Sequence, residues 1–368
     1  MAITDNFVSE FLPLVTDLAA GDGADYKKAL FKKAFEPSDV RNSHTLVTGV
    51  RNGNLIPIVT GEADYSSFPF VDANTCDATE CDLDTGYSGE KWELALQECR
   101  IPICLRSFND DFNVFWNNYK MINPSEEATN EYLRSALLQF LTDKFKLNFT
   151  AGKWRGMYFG DKSLTANALF NGQNGYFTRA EAETDQVVEI AKNNVTTSYA
   201  DQRMTGEEIY ETIKEAYELY LEQDWAETGA FEIRVTKRIA IDFANYLNGL
   251  KDLACCDGVE RLNPDSISSR SFSKDNLSFR GLPIVAYEEW DKIINTVAPL
   301  NGGGGTAARI NPNRILITRK ENLLIGTQNS DELDMFDIWY DRTDKKVYLE
   351  AGAYYGVGMP ANEQILAI

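Results

Sequence analysis

The stretch from Asp334 to Val357 most constrains what this chain can fold into. Phe336, Ile338 and Tyr340 alternate with Asp337, Trp339 and Asp341, a polar turn occupies Asp341–Lys345, and Val347, Leu349 and Ala351 then alternate with Tyr348 and Glu350. Period-two alternation on both sides of a short polar turn predicts a long β-hairpin with one face buried. Arg314–Thr318 (RILIT) and Asn322–Gln328 (NLLIGTQ) supply further strand-like segments just upstream, as does Leu277–Tyr287 (LSFRGLPIVAY).

Helical signals stand beside these strands, so the fold class is α+β. Asn123 caps a helix over Asn123–Leu147, with Pro124 at the first helical position and Glu126 three after the cap. Leu133, Leu137, Phe140 and Leu141 mark its apolar face at helical spacing. Thr205 and Glu208 form a second capping pattern, followed by the stripe Ile209, Ile213, Ala216, Tyr217 and Tyr220. Phe231–Val235 reads as a strand that leads into a helix over Lys237–Leu247, with Asn248-Gly249 as its stop signal. Gly302–Gly305 reads as a flexible tip.

Two N-terminal regions look unable to build a core alone. Residues 1–45 carry short helical patterns at Phe7–Leu18 and Ala24–Phe35, separated by Gly21 and Gly23. Residues 46–106 read as a two-stranded arm, Leu46–Thr60 against Trp92–Leu105, around a polar tip with Asp72, Asp77, Glu80, Asp82 and Asp84. Trp92, Leu94 and Leu96 alternate with Glu93, Ala95 and Gln97, which gives the arm one apolar face. A two-stranded excursion is marginal alone in water, so that face is expected to find its contacts on a neighbouring subunit.

The 368 residues are 43% apolar and 12% aromatic, enough for more than one core, and carry a net charge of −20. That sign argues against a freestanding nucleic-acid binder, which needs a clustered basic footprint. The opening MAITDNFVSEF lacks the basic and apolar regions of a signal peptide, and no run nears the roughly 20 apolar residues of a bilayer span. The chain is therefore expected to be made in the cytoplasm, with no membrane partner.

Few residues offer chemistry. His44 is the only histidine, so histidine-dependent catalysis or multi-histidine metal binding would have to pass through it. It sits in Asn42–Leu46 beside no cysteine or helical histidine partner and reads as a surface or hinge residue. Cys76-x4-Cys81 and Cys99-x4-Cys104 fit packing thiols, disulfides or, loosely, one zinc site. Positions 99 and 104 fall on opposite faces of an unbroken strand unless Pro102 bends it. Cys255-Cys256 read as buried small residues. Gly302–Gly305 lacks the Lys-Ser/Thr that a phosphate loop requires, and Asp82-x-Asp84-x-Gly86 lacks the acid that a calcium loop requires. No catalytic residue, cofactor site or firm metal site is assigned.

Two stretches, Arg280–Tyr287 (RGLPIVAY) and Ile338–Pro360 (IWYDRTDKKVYLEAGAYYGVGMP), together with the order of elements, resemble the major capsid proteins of tailed bacteriophages, which share their fold with the floor of herpesvirus capsids. The resemblance implies an N-terminal arm at 1–45 and an extended β-hairpin loop at 46–106. It further implies a peripheral domain at 107–155 with 329–368, carrying Asn123–Leu147 as spine helix, and an axial domain at 156–328. It implies a structural subunit, not an enzyme, that self-assembles through hexamers and pentamers into an icosahedral shell around double-stranded DNA in the virion. Trp92, Leu94 and Leu96 would be inter-subunit contacts. Scaffold, portal and decoration proteins would be partners, and DNA would be enclosed without sequence-specific binding. Some members crosslink their loops through a Lys–Asn bond, but Lys91 has no identifiable partner here, so that bond is not carried over. The rival reading is a soluble acidic binding module or hydrolase with a cysteine-stapled hairpin domain.

Overall fold

A computed structural model describes residues 38–60, 86–104, 149–226, 230–254, 277–329, 333–341, 343–344, 346–361 and 363–368. The expected helices Phe7–Leu18, Ala24–Phe35 and Asn123–Leu147, the arm tip, Cys76, Cys81 and the Cys255-Cys256 pair lie outside the described residues.

The terminal hairpin forms as its alternation predicts. Strands β11 (Met335–Asp341) and β12 (Lys346–Gly358) pair antiparallel, with Phe336 opposite Ala351 and Ile338 opposite Leu349. Leu349, Ala351, Ala353, Tyr355 and Val357 turn inward into one large core. The other face carries a ladder in which Trp339 stacks on Tyr348 at 5.4 Å and the Arg100 guanidinium lies over both rings. β12 is the hub of a five-stranded sheet: β4 (Ala95–Cys104) runs along one side, β11 and β10 (Leu324–Thr327) share the other, and β1 (Thr45–Thr48) joins β10 in parallel.

A six-stranded sheet runs in the order β5 (Val187–Val188), β13 (Gln364–Ala367), β9 (Ile315–Arg319), β6 (Phe231–Thr236), β8 (Leu282–Tyr287), β7 (Leu277–Phe279). It is covered on both faces, which explains why RILIT is apolar without alternation. Ile315, Ile317, Ile365 and Ala367 face a core built with the helices Gly206–Leu221 and Lys237–Ala254, whereas Leu316 and Leu366 face the core beneath the terminal hairpin. The Thr205–Glu208 capping box is present, with the Thr205 amide donating to Glu208 Oε2 at 2.6 Å and the Glu208 amide to Thr205 Oγ1 at 3.2 Å. All five residues of the expected stripe are buried.

Three local expectations need correction. The helix that starts at Lys237 runs through Asn248-Gly249 to Ala254; a glycine inside a helix costs about 1 kcal/mol, and continuing backbone hydrogen bonds outweigh that. Arg280 and Gly281, at φ of 46° and 96°, make the tight turn between β7 and β8. The Gly302–Gly305 segment is organised rather than loose. All four glycines have positive φ, and the Arg309 guanidinium donates to the carbonyls of Asn301 and Ala307 on either side of them and to that of Gly305.

Residues 46–106 do not form one hairpin. β2 (Leu55–Thr60) pairs with β3 (Gly86–Lys91) as a separate two-stranded sheet, while Ala95–Cys104 pairs with β12 in the body. The strand pattern of 92–105 showed alternation but not the partner. Similarly, Gln364–Ala367 belongs to the six-stranded sheet and Leu324–Thr327 to the five-stranded one, so the sheets interleave across the expected boundary at 328/329.

Candidate assembly interface

The arm leaves the body at a root built from Trp92. Its indole is only 4% exposed and clusters with Val50 and Ile56, against Val47 and Leu324. The backbone fixes this root from both sides: the Trp92 amide donates to the Asn54 carbonyl and the Gly53 amide to the Trp92 carbonyl, each at 2.8 Å. The seat is a set of glycines in β10 and β12. A Cβ on Gly326 would lie 2.6 Å from Trp92 Cζ3, one on Gly358 would lie 2.6 Å from Ile56 Cδ1, and one on Gly356 would lie 2.5 Å from the Glu93 carbonyl oxygen. The glycines of the AYYGVG stretch are therefore required by close approach of the arm root.

This placement corrects one expectation directly. Trp92 is consumed inside its own chain and is not presented to a neighbour. Leu94 is half-buried over Gly356, and Leu96 is 38% exposed. The three do not share one strand, because β4 begins only at Ala95. The exposed apolar residues of this region are instead Leu55, at 61%, together with Leu96, Leu164 and Leu169.

Beside the root, Ala95–Glu98, the helix at 149–159 and the loop at 168–173 enclose a cavity of about 190 Å³. Gly152 and Gly156 open its floor: a Cβ on Gly152 would collide with Gln97 Nε2, and one on Gly156 with Tyr355 Oη. Gln97 Nε2 donates to the Phe149 carbonyl at 3.3 Å, and Arg155 Nε to the Leu169 carbonyl at 2.9 Å. Gln97 Oε1 and both amide atoms of Gln173 have no hydrogen-bond partner although they are buried. Glu98 stands at the rim, hydrogen-bonded to Glu350, whose carboxyl is raised above its usual range by that bond.

His44 lies far from the surface or hinge position expected of it. It is 2% exposed, and its ring joins Ser43 Oγ at 2.9 Å and Tyr158 Oη at 2.8 Å. Arg234, also fully buried, donates to Tyr158 Oη at 3.1 Å and to the Ser43 carbonyl at 2.6 Å, and pairs with Glu232 at 2.5 Å. Burial holds the His44 pKa well below 6.5, reinforced by the Arg234 and Lys153 charges, so the ring is neutral. Tyr158 Oη thus takes part in hydrogen bonds to both the His44 ring and the Arg234 guanidinium. The Ser43–His44–Tyr158 set clamps the segment after Ser38–Ser43 into the core. Nothing in the sequence marked Arg234 as a core residue, because a single arginine in FEIRVT reads as a solvent-facing position.

Cys99 pairs with Ala351 on the inward face, where it is half-buried and free, and burial pushes its thiol up. The strand continues through Pro102 without a break, and its backbone register sets Cys104 opposite Lys346. Among the described residues no cluster of three or more metal-ligating side chains occurs, and no helix is long and apolar enough to cross a membrane.

No family model and no curated protein matches the chain. Among solved structures it is similar to the satellite phage P4 procapsid that includes the size determination protein, at 12% identity and a TM-score of 0.48 over 92% of this chain and 98% of that one. It is similar to a Gordonia phage Cozz structure, at 14% identity and a TM-score of 0.46 over 90% and 85%. A virus-like particle from Pyrococcus furiosus gives 8% identity and a TM-score of 0.43 over 94% and 98%. At these identities and scores none of the three identifies the chain.

Proposed function

We propose that this chain is a major capsid protein, a structural subunit that self-assembles into the icosahedral shell around the double-stranded DNA of a tailed phage. The observation that carries this reading is the arm. β2 and β3 form a sheet of two strands with no third strand among the described residues, yet their root is anchored by a buried tryptophan on a glycine seat. A two-stranded sheet is marginal by itself, so a firmly aimed one has its use in a contact outside its own subunit. The sequence resemblance of RGLPIVAY and IWYDRTDKKVYLEAGAYYGVGMP supports the same reading.

In this reading the residues before Ser38 are the N-terminal arm and Leu55–Lys91 is the extended loop. The body around the terminal hairpin, with the helix expected over Asn123–Leu147 as spine, is the peripheral domain. The six-stranded sheet and its two long helices are the axial domain. Copies of the chain meet as hexamers and pentamers, and scaffold, portal and decoration proteins are further partners in the virion. The chain's work is interfacial, and the buried His44 supports no histidine chemistry at a surface. Negative-stain imaging of the purified protein tests this: closed shells or capsomers are expected, and a strictly monomeric protein at all concentrations and salts tried overturns it.

A further inference from the structure

The cavity beside the arm root is lined by buried amide groups that lack partners. Gln173 is 3% exposed and lines the cavity, and neither its carbonyl nor its amide group has a partner. A buried polar atom left without a hydrogen bond costs about 1–3 kcal/mol, so two on one side chain mark a site completed by another group. Gln97 adds a further unpartnered oxygen, its orientation fixed because its Nε2 donates to Phe149. Arg155 adds guanidinium donors that form no ion pair among the described residues.

We infer that this cavity is a receptor for a side-chain carboxamide, an asparagine or glutamine presented by a second copy of this chain. A carboxylate would face two unpartnered amide oxygens and the Glu98 carboxylate at the rim. An ammonium would face Arg155. A primary carboxamide meets every requirement at once: its NH2 donates to Gln97 Oε1 and Gln173 Oε1, and its oxygen accepts from Gln173 Nε2 and Arg155. The argument holds for either amide orientation of Gln173, since each leaves one donor group and one acceptor. A volume of about 190 Å³ accommodates such a side chain. Exposed Leu96 and Leu169 at the mouth, 38% and 48% accessible, disfavour a free zwitterionic amino acid and favour a protein segment with apolar neighbours. The choice of a second copy rests on the proposed capsid function. It is favoured by continuity, because the lining residues Ala95–Glu98 directly follow the arm root at Trp92–Leu94.

Gln173→Leu separates this from a structural role. Replacing a buried unsatisfied amide by an apolar side chain leaves the subunit's thermal midpoint unchanged or raised, while the critical concentration for shell formation rises at least about tenfold. Leu169→Asp at the rim gives the same assembly defect with a folded subunit. Assembly of both variants at the wild-type concentration overturns the inference and leaves the capsid reading standing. A wild type that never assembles overturns the capsid reading and with it the second copy as occupant. The chemistry of the cavity is read separately by nuclear magnetic resonance on unassembled subunits. Propionamide is expected to shift the Gln173 side-chain amide saturably and propionate is not. No saturable shift, or equal shifts with both, means that exchangeable water alone fills the cavity and overturns the receptor.

Discussion

The indole of Trp92 sits where a side chain on Gly326 would be: a Cβ at that position would come within 2.6 Å of Cζ3. This one contact ties the arm to the five-stranded sheet and makes the arm's direction a property of the body. Gly326→Ala is expected to destabilise the subunit by about 1–3 kcal/mol through overpacking, and Trp92→Ala by about 3–5 kcal/mol through loss of a buried aromatic. Chemical denaturation of the unassembled subunit checks both. A Trp92→Ala subunit as stable as the wild type would mean that the indole is an inter-subunit contact after all.

The arm beyond its root is expected to matter for assembly and not for folding. Replacing residues 61–85 by a short Gly-Ser turn leaves Trp92, Val50 and Ile56 in place. The unfolding free energy should stay within about 0.5 kcal/mol of wild type, while electron microscopy shows loss of closed shells. Normal particles from this variant would remove the mechanical basis of the capsid reading.

His44 predicts a pH dependence with a definite sign. Its folded pKa lies below 6.5 because of burial and the nearby Arg234, Lys153 and Lys320 charges, with the uncharged Tyr158, Tyr176 and Trp154 rings filling the other sides. The unfolded state therefore binds the proton first. The contribution of His44 is complete above about pH 6.5 and is lost as pH falls toward its depressed folded value, by up to about 1.4 kcal/mol per pH unit. His44→Gln should flatten this part of the stability profile between about pH 6.5 and 5. Parallel profiles for the two proteins would show that the ring is not buried neutral.

Arg309 organises the glycine segment through three carbonyls, and its guanidinium lies 4.9 Å from the Tyr199 ring centre. Arg309→Met is expected to cost about 2–3 kcal/mol, since hydrogen bonds to a charged group are lost and the carbonyls are left facing an apolar chain. Hydrogen exchange over residues 301–308 should speed up by at least about tenfold while the Gly206–Leu221 helix remains protected. Unchanged exchange there would mean that the glycines hold their conformation without the guanidinium.

What could be read from the sequence was what neighbours in the chain decide. Thr205 and Glu208 are three residues apart, and their capping box forms by local geometry alone. The terminal hairpin is set by alternation and a turn within 25 residues, and its register places Ile338 opposite Leu349 as that pattern requires. Gly249 shows the limit of a local signal, because the helix ending expected there is overridden by hydrogen bonds that continue to Ala254.

Steric preference and side-chain period act over a few residues, and they suffice for the α+β class, the terminal hairpin and the apolar stripe of the Gly206–Leu221 helix. Tertiary structure alone decided that Trp92 packs inward on Gly326, that Ala95–Cys104 joins β12 instead of the arm, and that Gln173 lines a cavity with its amide unpartnered. It also decided that His44 is a core residue, through Tyr158 at 114 residues' separation and through Arg234, which reaches Ser43 across 191. Burial is a sum over contacts from distant segments. No local pattern encodes which segments those are, so a lone histidine, tryptophan or glutamine reads the same in the sequence whether it ends in solvent or in the core.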